Sequence, residues 1–127
     1  VIQLDGIVKR YNGVTALDGA TLDVARGTVH AVLGENGAGK TTLMRVAFGM
    51  VRPEAGTIVV DGVARRFTSP AGALAVGVGM VHQHYALVGA MSVAENVALG
   101  NRVGWRYDRA AAEARVEAIA AETGLRL

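Results

Sequence analysis

Gly34-Glu35-Asn36-Gly37-Ala38-Gly39-Lys40-Thr41 matches G-x-x-x-x-G-K-[ST] at every fixed position. The chemistry of such a segment is phosphate binding. Its glycines let the backbone turn so that successive N–H groups face phosphate oxygens. A helix starting behind them adds unpaired amides and the positive end of its dipole. Lys40 can reach a β- and a γ-phosphate as a point charge. The Thr41 hydroxyl can ligate Mg²⁺, a hard cation that prefers oxygen ligands and bridging phosphates, and Thr42 can donate a further bond toward an α-phosphate. The candidate cradle is therefore Asn36, Gly37, Ala38, Gly39, Lys40, Thr41 and Thr42, with Glu35 at a variable position facing solvent. The dinucleotide fingerprint G-x-G-x-x-G is absent, which disfavours NAD.

Other side chains with chemical potential are less specific. His82 and His84 flank Gln83, but no carboxylate or cysteine stands at ligand spacing, so a metal site there is disfavoured. His30 lies in an apolar run and reads as a core residue. Glu95 follows Ser92 at capping-box spacing and reads as a helix cap rather than a catalytic base. The chain has no cysteine, which excludes disulfides and cysteine–zinc sites.

Elements must hold these residues in place. Ile2–Lys9 is a strand candidate ending at a Tyr11-Asn12-Gly13 turn, and Leu22–Val24 is a second, short one closed by Arg26-Gly27. Thr28–Leu33 is β-branched and apolar, the pattern of a buried parallel strand, and runs directly into Gly34. Leu43, Val46 and Ala47 have helical spacing from Lys40 onward, and Pro53 and Gly56 stop that helix. Thr57–Val60 reads as a strand and Asp61-Gly62 as a hairpin turn. Ser69-Pro70 opens a further helix, and Val78–Val81 reads as another buried strand. Helices are expected to start at Ser92 and at Asp108, the latter covering about Arg109–Glu122 and ending at Gly124. Strands first, then strand–loop–helix units, predict an α/β core with an antiparallel β element at its front.

Composition bounds the function. At 51% apolar and 19% charged residues the chain is globular, and a net charge of +2 does not point to nucleic acid. The arginines are scattered rather than clustered. Gly6–Asp18 carries charges and glycines where a signal peptide needs an apolar run. The longest apolar-rich stretch, Ala71–Val81, is short and interrupted by glycine, so any membrane crossing falls to another segment or chain.

Three further features go with the phosphate loop: Lys9-Arg10-Tyr11-Asn12-Gly13 before it; Arg52-Pro53-Glu54-Ala55-Gly56-Thr57-Ile58 after it; and Gly79-Met80-Val81-His82-Gln83 leading into Met91-Ser92-Val93-Ala94-Glu95-Asn96-Val97. Together they resemble the nucleotide-binding domain of ATP-binding cassette (ABC) transporters, over essentially the whole chain. The wording around Gln83 is similar to importers of simple sugars and nucleosides. The resemblance implies a P-loop NTPase (RecA-like) core that binds ATP with Mg²⁺. About 1–82 would form the nucleotide-binding core, and about 83–127 the glutamine loop and the start of a helical subdomain. Tyr11 matches the position whose ring stacks on adenine, with Val14 and Ala16 flanking base or ribose. Gln83 matches the glutamine that ligates Mg²⁺ and senses the γ-phosphate. Lys40 and Gln83 would be the residues acting in catalysis, and Thr41 and Gln83 the metal ligands. Tyr85, Leu87 and Met91 would suit contact with a membrane domain, or core packing.

The same resemblance implies partners: transmembrane permease subunits, a second cassette pairing with this one, and indirectly a solute-binding protein, with no nucleic acid. The site of action would be the cytoplasmic face of the plasma (inner) membrane. A soluble, non-transport ABC-type ATPase shares every motif quoted. The LSGGQ-like signature, the apolar strand ending in Asp-Glu and the late switch histidine do not occur. The expectation is an incomplete domain, the N-terminal portion of one cassette, inactive and unstable when isolated.

Overall fold

Asn12 and Gly13 both have positive φ, 47° and 84°, as a two-residue type I′ turn requires. The strands on either side, β1 (Ile2–Tyr11) and β2 (Val14–Val24), therefore pair antiparallel, with Tyr11 opposite Val14 and Leu4 opposite Leu22. Asp61 and Gly62 repeat the geometry at 49° and 77°, joining β3 (Ala55–Val60) to β4 (Val63–Arg65). β3 lies antiparallel to β1, giving one sheet in the order β2-β1-β3-β4. This is the antiparallel element expected at the front of the chain. The computed structural model describes residues 1–82, 87–99 and 107–125.

The core forms on one face of this sheet. Leu4 and Ile7 of β1 are both buried although they stand three residues apart, a spacing that places side chains on opposite faces of a regular strand. The register shift between them inserts the extra residue that returns Ile7 to the core side. Leu17, Ile58 and Val60 join them, and α1 (Lys40–Ala47) covers the face with Leu43, Val46 and Ala47, the three residues whose spacing predicted the helix. The helix stops earlier than Pro53: Phe48 caps it and Gly49 turns left-handed at φ 74°. Phe48, Phe67 and, from α2 (Pro70–Leu74), Ala73 complete the cluster.

Two strand expectations are corrected. Thr28–Leu33 is neither strand nor buried: Val29 and Leu33 are 102% and 89% exposed, and His30 is exposed rather than a core residue. A parallel strand takes its hydrogen bonds from neighbours reached by crossovers, and no described strand pairs with this segment. Val78–Val81 is not a strand either. Val76, Val78 and Met80 alternate onto the core, as a strand face would, but Val81 is 82% exposed and no ladder forms. β2 is longer than the expected Leu22–Val24: its eleven residues begin at Val14, and Asp18 and Gly19 hide the earlier part by interrupting the alternation before Leu22.

The contacts group the chain into two compact units, Val1–Val81 and His82–Leu127. Within the second, α3 (Val93–Leu99) opens on a reciprocal cap. The Ser92 amide donates to Glu95 Oε2 at 2.7 Å, and the Glu95 amide to Ser92 Oγ at 3.3 Å. α4 (Arg109–Thr123) is capped by Asp108, whose Oδ1 accepts from the Ala111 amide at 3.1 Å, and ends at left-handed Gly124. Among the described residues of this unit, Ala94 of α3 and Val116 of α4 are the buried hydrophobic ones.

Candidate functional site

The phosphate loop hangs between an exposed segment and a firmly packed helix. Gly37 and Gly39 have φ of 88° and 87°, while Asn36 and Ala38 between and beside them stay at negative φ. Such alternation points successive N–H groups to one side, the concavity that receives anions. Gly39 is the N-cap of α1, and no side chain caps the helix. The first-turn amides, those of Lys40, Thr41 and Thr42, have no acceptor within a helix, which leaves them for an incoming oxygen. No acidic residue stands in that turn, so nothing in it opposes a phosphate.

Lys40 closes the loop. Its Nζ donates to the Gly34 carbonyl at 2.6 Å and the Glu35 carbonyl at 2.7 Å. An ammonium has three donors, and the loop's own oxygens take two. The Ala38 amide donates to the Glu35 carbonyl at 3.2 Å, tightening the same turn. Gly39 ties the loop to the sheet: a Cβ there would lie 2.6 Å from the Ala16 carbonyl oxygen and 2.9 Å from Leu17 Cδ2. The helix start thus rests directly on β2. Ala16 is two residues from Val14, and Val14 pairs with Tyr11, so β2 links the loop to the hairpin that carries Tyr11.

Tyr11 is 40% exposed, open enough for its ring to accept a flat partner. Lys9 places its Nζ 5.3 Å from the centre of that ring and bonds Glu54 Oε1 at 2.6 Å. Glu54 Oε2 accepts from the Arg10 amide at 2.7 Å. The Glu54 carboxyl is held below the ordinary glutamate value, chiefly by the Lys9 hydrogen bond; desolvation opposes this, and the Arg10 amide adds to the lowering. Glu54 was not among the expected site residues. Its sequence signal, an acid just before a strand, is too common to single out.

Thr41 is exposed and Thr42 half-buried. The described residues contain no cluster of three or more His, Cys, Asp or Glu side chains that could hold a metal. The exposed Thr41 at the start of a phosphate-binding helix fits a hard divalent cation that takes oxygen ligands and bridging phosphates. Gln83, His84 and Tyr85 lie outside the described residues. His82, Leu87 and Met91 are exposed.

The segment after them is organised by a residue that sequence reasoning passed over. Asn96 Nδ2 donates to the carbonyls of Val88, Met91 and Ser92 at 3.1, 3.2 and 3.0 Å, and its Oδ1 accepts from the Val88 amide at 2.9 Å. An asparagine inside a helix is a poor helix former, and that mismatch was the available clue. Asn96→Ala is expected to cost the second unit about 1–3 kcal/mol in local stability. Amide exchange of Val88 and the first turn of α3 should accelerate, while exchange in β1 stays unchanged.

Comparison with known proteins places this geometry. The ABC transporter family model matches residues 17–127. A ribose import ATP-binding protein of Burkholderia thailandensis is 48% identical over 84% of this chain, which covers 21% of that protein. The guanosine import ATP-binding protein of Bacillus subtilis is 45% identical over 100% of this chain and 25% of its own length. The chain thus spans about a quarter of the length of the curated relatives it matches. Among solved structures, a nucleotide-free ATP-binding cassette from an ABC transporter superposes with a TM-score of 0.73 at 29% identity, over 80% of this chain and 40% of that one. A dimeric post-hydrolysis cassette bound to ADP and Pi shares the fold at a TM-score of 0.71 and 19% identity, over 92% of this chain and 55% of that one. The ATP-binding cassette fold of these structures is the P-loop NTPase architecture that the loop and its helix anticipate. With the family model matched from β2 to the last residue, this chain belongs to the ABC transporter family.

Proposed function

We propose that the protein carrying this chain is the ATP-binding subunit of an importer, coupling ATP binding and hydrolysis to uptake of a small polar solute such as a sugar or nucleoside. The observation that carries the reading is the uncapped start of α1 behind two left-handed glycines, closed by Lys40. Relatives that import ribose and guanosine support the solute class. Asn36 through Gly39 would offer backbone amides to the phosphates. Lys40 would exchange its loop carbonyls for β- and γ-phosphate oxygens, and Thr42 would hold the α-phosphate. Thr41 would hold a magnesium ion, which would supply charge neutralisation on the transferring phosphoryl group; Gln83, to which the resemblance gives the same role, lies outside the described residues. Residues about 1–82 form the nucleotide-binding core in this reading, and about 83–127 the glutamine loop and the start of the helical subdomain.

The partners follow from the same reading: permease subunits that cross the membrane, a second cassette and, indirectly, a solute-binding protein, with this subunit peripheral at the cytoplasmic face of the plasma (inner) membrane. No described helix is long and apolar enough to cross a membrane. The test is a pair of calorimetric titrations on the full-length protein, with Mg-ATP and with Mg-tripolyphosphate. Tyr11→Ala should weaken ATP about tenfold, within the 1–3 kcal/mol of a base–aromatic stack, and leave tripolyphosphate unchanged. Equal effects on both ligands would remove Tyr11 from the base site. For transport, solute-stimulated ATP turnover in proteoliposomes with the permease is the expected outcome. Turnover indifferent to the permease would overturn the importer reading.

A further inference from the structure

Lys9, Arg10 and Glu54 lie outside the phosphate loop, yet they converge at the hairpin that carries Tyr11. β1 delivers Lys9 and Arg10 just before the turn. The segment entering β3 brings Glu54 alongside, its amide donating to the Val8 carbonyl at 2.9 Å, one residue before Ala55 pairs with Val8. Both carboxylate oxygens are then engaged, one by the Lys9 ammonium at 2.6 Å and the other by the Arg10 amide at 2.7 Å. A surface lysine ordinarily ranges through water on a flexible stem. Here the Lys9 side chain is only 15% exposed, and its charge is fixed 5.3 Å from the Tyr11 ring centre, within the range of a cation–π contact.

We propose that Glu54 is a positioning residue for the base end of the nucleotide: by pinning Lys9 to one face of Tyr11, it fixes the plane of the ring and leaves the opposite face for a purine. The inference rests on the reading of Tyr11 as the base platform. It extends that reading by making platform order depend on a residue from the segment entering β3. A purely structural role, a tie between β1 and β3, would act on the fold and would not discriminate between ligands.

The experiment uses the full-length protein with Mg-ATP and Mg-tripolyphosphate, the second ligand having phosphates and no base. Glu54→Gln should weaken ATP about two- to fivefold, the scale of a cation–π contact at an exposed site, with tripolyphosphate unchanged. Lys9→Met, which keeps the Glu54–Arg10 bond, should reproduce the same ATP-only loss. In a Tyr11→Ala background neither change should have further effect. Equal losses for both ligands, unchanged ATP affinity, or full effects without Tyr11 would each overturn the proposal. Survival of both ligands in Lys40→Ala would overturn instead the phosphate-loop reading beneath it.

Discussion

Lys40→Ala in the full-length protein is expected to weaken Mg-ATP on the order of a hundredfold and to weaken tripolyphosphate as much. A hydrogen bond to a charged group contributes about 1.5–3 kcal/mol, and about 2.7 kcal/mol is a factor of a hundred. Lys40 also shapes the loop before any phosphate arrives, through its bonds to the carbonyls of Gly34 and Glu35. The alanine variant thus loses the charge and the brace together. Lys40→Arg separates the two: it keeps the charge but replaces a compact three-donor head with a planar fork that does not fit between two adjacent carbonyls. Arginine should therefore recover little of the affinity. Calorimetry on the three proteins decides the matter. Affinities within threefold of one another would mean that Lys40 serves only the loop's own carbonyls.

The loop and helix of the candidate site were legible because their signals are local. The phosphate loop is contiguous, and its helix declares itself through Leu43, Val46 and Ala47, all buried. Both I′ hairpins are written in Asn-Gly and Asp-Gly, and the caps at Ser92 and Asp108 each depend on residues three apart. What escaped is non-local. The Lys9–Glu54 pair spans forty-five residues, and no spacing rule joins the two. The fit of Gly39 against Ala16 depends on the path of β2, whose length was itself under-read. Thr28–Leu33 fails in the opposite direction. Its composition is that of a buried strand, but burial is conferred by neighbours, and the described sheet supplies none on that side. An apolar run reports a side chain's preference, and the topology decides whether the preference is met.

Gly39→Ala is expected to be the most damaging single change among the loop glycines, and comparison with Gly37→Ala shows why. Both positions have φ near 88°, so both variants carry the strain of a left-handed alanine, about 1–2 kcal/mol. Around Gly37 a new Cβ meets nothing within 4 Å, whereas at Gly39 it meets the Ala16 carbonyl at 2.6 Å and Leu17 Cδ2 at 2.9 Å. Neither neighbour yields easily, since one is backbone in a paired strand and the other is a core leucine. The start of α1 must then move off β2, carrying the Lys40, Thr41 and Thr42 amides out of line with the loop. The expected cost is about 2–4 kcal/mol in urea unfolding, with ATP and tripolyphosphate weakened together by at least tenfold. Gly37→Ala should show the strain alone and a smaller binding loss. Matching losses in the two variants would mean that backbone conformation, not the seat of the helix on β2, sets the geometry of the phosphate site.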